Sequence, residues 1–219
     1  MFKKAFSLSE VLLVVAIIGV VASLTVPNLI RDTEADRTVV QLRKFHNELN
    51  NAYQQVQLKY GDYETWGNIT KAEKIQRYLE FLEVVRQGNN LRFPLATYNG
   101  TSYTKAELKD GLILSLINNS TYDSSDTESY YDVFVATNGL EGATPGEYIF
   151  GFTINPYSQR VEAFGKRFNN SRKAPDRSEN GKLSLSSNIY GTNWAITNGN
   201  LDYLKCANVL NWNNRLSCK

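Results

Sequence analysis

The feature that most constrains this chain of 219 residues is an uninterrupted apolar run near its start. No charged residue occurs from Val11 to Ile30, and Lys3 and Lys4 stand ahead of the run. Because a helix rises 1.5 Å per residue, about 20 residues cross the roughly 30 Å of a bilayer core. The run therefore predicts a helix that enters a membrane, with the two lysines on the cytoplasmic side and the remainder translocated.

A single carboxylate, Glu10, stands at the start of this run. A charged group at the edge of hydrocarbon is costly unless it is paired, and the next basic residue along the chain is Arg31. We therefore expect the partner of Glu10 to come from outside the run. The alternative is an ordinary secretory signal cleaved after Ala22. Against it, the apolar run continues to Ile30, and a signal core carries no charge where Glu10 stands.

The helix is predicted to continue beyond the apolar run as an amphipathic helix. Apolar residues recur there every three or four positions: Val39, Leu42, Phe45, Leu49, Ala52, Tyr53, Val56 and Tyr60. This spacing predicts one helix from about residue 7 to residue 60. Gly19 and Pro27 lie inside it, and proline removes one backbone hydrogen bond. We expect a bend or local unwinding at Pro27.

The rest of the chain predicts one more helix and a sheet. Thr70 and Glu73 form a capping box that starts a helix, and the residues from Gly88 close it. Short runs between turn signals predict strands at residues 112–117, 130–137, 148–154 and 159–164. The segment from Trp194 predicts a short strand and a helical turn. An aromatic content of 12% is typical of a sheet with one buried and one wet face.

The fold class is therefore α+β. A long N-terminal helix, with a membrane half and an amphipathic half, packs on an antiparallel sheet. A net charge of +2 indicates no polyanionic partner, and no nucleic acid is expected.

The sequence contains no catalytic constellation, and we assign no catalytic, cofactor-binding or metal-binding residues. The single histidine, His46, is predicted to flank Phe45 on the long helix. Asp123, Asp126 and Glu128 predict a solvated loop. The alternative, a calcium loop, has no matching spacing there.

The two cysteines, Cys206 and Cys218, lie 12 positions apart near the C-terminus. Behind a membrane-targeting segment, they predict a disulfide formed in an oxidising compartment. A loop of this size stabilises a fold by about 3 kcal/mol in the chain-entropy model. Two free thiols are the alternative, and a zinc site that includes His46 lacks the motif spacing.

Residues 3–10, KKAFSLSE, and the apolar run after them resemble the signal of type IV pilins and type II secretion pseudopilins. In that family a prepilin peptidase cuts directly before a phenylalanine, which is then N-methylated. The resemblance places this cut between Ala5 and Phe6. Counted from the new terminus, the family's acidic residue, glycine and proline coincide with Glu10, Gly19 and Pro27. The family normally has glycine where this chain has Ala5, and we expect cleavage to proceed after alanine.

The resemblance implies a structural subunit of a pilus or pseudopilus and no enzyme. Residues 1–5 would be a basic leader, residues 6–30 the transmembrane and assembly helix, and residues 31–219 a pilin-like head. The implied location is the bacterial inner membrane with the head in the periplasm, and later the pilus, pseudopilus or cell surface. The C-terminal cysteine pair looks like the disulfide-bounded loop of many pilins.

The implied partners are prepilin peptidase, other pilin or pseudopilin subunits, an inner-membrane assembly platform and the lipid bilayer. No cofactor is implied. Glu10 would neutralise the new amino terminus at Phe6 of a neighbouring subunit. Two other functions stay open: a membrane-anchored or secreted binding protein with an ordinary signal segment, and an exported hydrolase, which the missing catalytic set disfavours.

Overall fold

A computed structural model describes residues 8–88, 90–119, 130–137, 143–155, 159–165 and 188–218. The chain divides into two units, Met1–Arg37 and Thr38–Lys219, and the second is called the head below. Helix α1, Leu8–Tyr60, contributes residues to both units. It is continuous through Pro27, so the local unwinding expected there is not seen. The predicted long helix is confirmed.

In the residues that the structure describes, the head is built on a sheet of six strands. Its order follows the chain, and every neighbouring pair is antiparallel. The strands are β1 Val84–Gln87, β2 Thr104–Leu108, β3 Ile113–Asn119, β4 Tyr130–Ala136, β5 Ile149–Asn155 and β6 Arg160–Ala163. A long N-terminal helix with this sheet confirms the α+β class and is consistent with a pilin-like fold. The sequence predicted β3 to β6 and missed β1 and β2.

The described part of the head contains three shorter α-helices: α2 Lys71–Leu79, α3 Thr192–Asn198 and α4 Tyr203–Cys206. Single 3-10 turns occur at Tyr63–Trp66, Ala96–Tyr98, Asn188–Gly191 and Ala207–Val209. The capping box at the start of α2 is confirmed. The Thr70 N–H donates to Glu73 Oε2 at 2.7 Å, and the Glu73 N–H donates to Thr70 Oγ1 at 3.2 Å.

Two predicted elements are wrong. Helix α2 ends at Leu79 instead of near Gly88, because Val84 and the residues after it pair with β2 as an edge strand. The segment at Trp194 is the helix α3 and not a strand. Its indole is fully buried and donates from Nε1 to Asn200 Oδ1 at 2.9 Å. The helix places the Trp194 ring in the core, and burial of the ring stabilises the helical conformation.

One face of the sheet lies against the amphipathic part of α1. The predicted stripe is buried from Val39 to Val56, with Leu42, Phe45 and Leu49 fully enclosed. The Phe45 ring meets Phe152 of β5 edge to face, with ring centroids 5.4 Å apart. The stripe is thus the core-facing side of α1.

The opposite face of the sheet is covered as well. Phe134 of β4 stacks on Tyr98 at 3.9 Å between ring centroids and meets Phe164 at 5.7 Å. Gly151 makes room for this layer, because a Cβ there would lie 2.5 Å from the Phe164 ring. All seven residues of β5 are buried. The expectation of one wet face is therefore wrong.

Candidate assembly surface on the N-terminal helix

The apolar side chains of α1 from Leu8 to Ile30 are exposed to solvent. Among the described residues, α1 is the helix that is long and apolar enough to cross a membrane. Its most apolar 18-residue window has a mean hydropathy of 2.4 and none of it is buried. Leu24 is 68% exposed and Leu29 is 70% exposed. Since burying one such side chain is worth about 1.5–3 kcal/mol, this segment has a large drive to enter lipid or to pack against other helices.

Glu10 lies in the first turn of α1 and is exposed. A carboxylate there also interacts favourably with the positive end of the helix dipole, by about 0.3–1 kcal/mol. The predicted cleavage residues, Ala5 and Phe6, lie outside the described residues. The predicted assembly residues Glu10, Gly19 and Pro27 all lie on α1.

Gly19, Ser23 and Thr25 lie in the middle of the exposed apolar segment of α1. Gly19 has no side chain, so another helix can approach the backbone closely there, and a Cβ added at this position would meet nothing within 4 Å. Ser23 Oγ donates to the Val20 carbonyl at 2.8 Å, and Thr25 Oγ1 donates to the Val21 carbonyl at 2.9 Å. Both hydroxyls are thus satisfied within the helix, as a hydrocarbon environment requires.

His46, the single histidine of the chain, packs into the head. Its half-buried ring stacks on Phe152, with ring centroids 5.7 Å apart, and Nε2 lies 3.5 Å from the Val161 carbonyl oxygen. The described residues contain no group of three or more His, Cys, Asp or Glu that could hold a metal. The acidic segment with Asp123 and Asp126 lies outside the described residues.

A cleft of about 250 Å³ opens on the head among α1, the segment after α2 and the β2–β3 turn. Its charges are paired: Lys44 Nζ lies 2.9 Å from Asp110 and 3.3 Å from Glu48. Hydrogen bonds to Asp110 and Glu48 raise the pKa of Lys44 above its usual range. Glu83 and Lys109 face each other at 3.8 Å. The charged side chains that line the cleft are therefore paired with one another.

The structure brings Cys206 and Cys218 to disulfide distance, with sulfur atoms 2.01 Å and Cα atoms 5.9 Å apart. Asp202 Oδ2 accepts a hydrogen bond from the Cys218 N–H at 2.8 Å. Within the closed loop, Trp212 meets Trp194 edge to face at 4.6 Å between ring centroids. The loop is thereby attached to α3 by an aromatic contact as well as by the sulfur pair.

Arg43 is a residue whose role the sequence did not show. It is an exposed residue of α1. Its guanidinium donates to the Ile196 carbonyl at 2.8 Å and to the Thr197 carbonyl at 3.5 Å, at the C-terminal end of α3. A positive charge at the C-terminal end of a helix interacts favourably with the helix dipole. Because 153 positions separate Arg43 from Ile196, no local pattern could have predicted the contact.

Comparisons of the chain with family models, with curated proteins and with solved structures found no match. The family resemblance therefore rests on the residues themselves: the apolar run and the spacing of Phe6, Glu10, Gly19 and Pro27.

Proposed function

We propose that this chain is a structural subunit of a type IV pilus or type II secretion pseudopilus. The observation that carries the proposal is α1, in which a fully exposed apolar segment continues without a break into the helix that packs on the head sheet. Such a chain holds a folded domain on a helix that can lie in lipid and later pack against other helices. The proposal assigns it no catalytic role.

Processing would convert the membrane-anchored precursor into an assembly-competent subunit. Prepilin peptidase cuts between Ala5 and Phe6, and Phe6 is then methylated. Before assembly, the chain lies in the bacterial inner membrane as a single-pass protein, with the leader in the cytoplasm and the head in the periplasm. An inner-membrane assembly platform then transfers it into the filament, beside other pilin or pseudopilin subunits.

Glu10 would set the depth at which a subunit docks. Cleavage creates a positive amino terminus at Phe6, four residues before Glu10. In a low-dielectric helix bundle, a carboxylate of one subunit and the amino terminus of its neighbour attract strongly. A carboxylate that docks at another depth is left in an apolar environment at a high cost. The pair therefore favours one axial position.

The N-terminus of the mature protein tests the processing. In cells with an active prepilin peptidase, intact-mass and N-terminal peptide analysis should find a chain that begins at methylated Phe6. An intact Met1, or a cut after Ala22, would contradict the proposal. The cut after Ala22 would instead indicate a secreted binding protein with an ordinary signal.

Glu10→Ala tests the docking role. The variant should still enter the membrane, because the apolar run is unchanged, and it should be lost from sheared filaments. Glu64→Ala is a matched control, since it removes an exposed carboxylate from the head. Normal incorporation of Glu10→Ala into filaments would remove the pairing argument.

A further inference from the structure

The seven residues after the apolar run, RDTEADR, form a charged segment that we call the collar (residues 31–37). All of them are helical, and the five charged side chains are exposed: Arg31, Asp32, Glu34, Asp36 and Arg37. Thr33 Oγ1 donates to the Leu29 carbonyl at 2.9 Å. The collar thus continues the same helix directly out of the apolar run.

The two aspartates and the two arginines of the collar lie on opposite sides of the helix. At about 100° per residue, Asp32 and Asp36 lie about 40° apart. Arg31 and Arg37 lie about 120° apart, with Glu34 between them, and the midpoints of the two groups are about 180° apart. The side chains of the acidic side sum to −2, from two aspartates. Those of the basic side sum to +1, from two arginines and one glutamate.

This arrangement favours one kind of self-association. A twofold contact brings the same side of both helices together, so a contact through the acidic side would place aspartates opposite aspartates. A head-to-tail contact between parallel copies places the acidic side of one collar against the basic side of the next. Contacts of this heterologous kind continue from copy to copy and build rings or helical filaments.

We propose that the acidic side of the collar (Asp32 and Asp36) docks against the basic side (Arg31 and Arg37) of the next parallel copy of this chain. The inference rests on the proposed function and adds to it a lateral contact outside the apolar layer. Glu10 sets the depth of a subunit, and the collar sets which side of it faces the next one.

The position of the collar supports this contact. Its charges cannot follow the apolar run into hydrocarbon, so they occupy the first layer outside it. Apolar segments that pack side by side therefore bring neighbouring collars together. The collar extends about 9 Å along the helix, so charges can meet when two copies are offset by up to about that distance. Screening over about 8 Å at physiological salt confines the effect to adjacent copies.

Two charge-reversal variants of the full chain test the contact. Asp32→Lys with Asp36→Lys makes both sides of the collar basic, and Arg31→Glu with Arg37→Glu makes both sides acidic. Each variant, expressed alone with the assembly machinery, should lose filaments because every collar contact becomes repulsive. Co-expression of the two should restore filaments that contain both, detected through different epitope tags in sheared fractions.

Matched controls separate this effect from folding and net charge. Glu64→Lys with Glu83→Lys makes the same change in charge as Asp32→Lys with Asp36→Lys, but on exposed positions of the head, and it should leave assembly intact. The swap of Arg31→Asp, Asp32→Arg, Asp36→Arg and Arg37→Asp reverses both sides at once. It should assemble alone, because opposite charges still meet. Carbonate extraction should show every variant in the membrane.

The results distinguish the two proposals. Filaments from either reversal variant alone, or a mixture that fails while the native chain assembles, would overturn the collar contact and leave the proposed function standing. If the native chain forms no filament with an active peptidase and platform, both proposals are overturned. Restoration by co-expression and by the swap, with assembly of the control, is the result expected from the collar contact.

Discussion

Two parts of the same helix meet solvent in opposite ways. Residues 8–30 expose their apolar side chains, whereas residues 39–56 bury theirs on the head sheet. The difference lies in the pattern of apolar residues, because both parts are α-helical. A helix that is apolar on one side can bury that side against a single packing surface. A helix that is apolar on every side needs lipid or several other helices to bury its side chains.

The comparison separates folding from assembly. Apolar area on residues 39–56 is removed from water when the head folds, so it contributes to the stability of the head. Apolar area on residues 8–30 stays available to a membrane or to other helices. Substitutions at residues 39–56 should therefore alter unfolding of the head. Substitutions at residues 8–30 should alter membrane entry and assembly.

The largest effect is expected from Phe45→Ala, which removes a fully buried ring that packs on Phe152. It should lower the free energy of unfolding by about 3–5 kcal/mol. All three tryptophans lie in the head, so their fluorescence during denaturant unfolding in detergent reports on the head alone. Ile17→Ala is the matched change in the exposed segment and should leave that transition unchanged. A similar loss from Ile17→Ala would break the comparison.

Removal of the cysteine pair should come next in size. Cys206→Ser with Cys218→Ser should cost the head about 3 kcal/mol, because a loop of this length is no longer closed in the unfolded chain. When a reductant is added, the denaturant midpoint of the native chain should fall to that of the double variant. The midpoint of the double variant should not change. Membrane retention should stay normal in both. Equal midpoints for the oxidised and reduced native chain would contradict the expectation.

Thr70→Ala tests a smaller contribution, the capping box of α2. Loss of the Thr70 hydroxyl leaves the Glu73 N–H without its acceptor and should cost about 1 kcal/mol. Thr101→Ala, at another exposed threonine, is the control and should change the unfolding midpoint very little. Equal shifts from the two variants would show that the cap contributes nothing.

The smallest effect is expected from pH. Hydrogen bonds from the Thr70 N–H and hydroxyl lower the pKa of Glu73 below its usual value of 4.5. A group with a lowered folded-state pKa adds stability above its unfolded pKa and loses it as pH falls through the folded value. Midpoints measured from about pH 6 to about pH 2 should therefore decline below about pH 4.5. The decline should be shallower for Glu73→Gln, which keeps a capping acceptor but cannot titrate; an identical decline would exclude Glu73 as a source.

The sequence predicted those elements whose signal is local. Strands β3 to β5 are largely apolar runs between turn formers, β6 follows a turn signal after β5, and all four lie near the predicted bounds. Strand β2 was missed because Lys105 and Glu107 interrupt its apolar pattern, although Lys105 is only 5% exposed in the folded head. Strand β1 was missed because Val85 stands at helical spacing from α2. Pairing with β2 outweighs that local preference.

The same contrast applies to the candidate site. Glu10, Gly19, Pro27 and the collar lie within 28 consecutive residues, so their order on a helix follows from their spacing. The link from Arg43 to the end of α3 joins segments 153 positions apart, and it depends on how the chain returns to α1.

The sequence by itself determined a helix long and apolar enough for a membrane, the amphipathic stripe after it and the capping box of α2. Each of these follows from side-chain periodicity or from neighbours three or four positions apart. Only the tertiary structure decided that both faces of the sheet are covered and that α3 is tied to α1. Burial of the second face depends on segments that are distant in sequence, because Tyr98 and Phe164 both pack on Phe134 of β4. The local pattern of apolar residues does not indicate which distant segments will meet in this way.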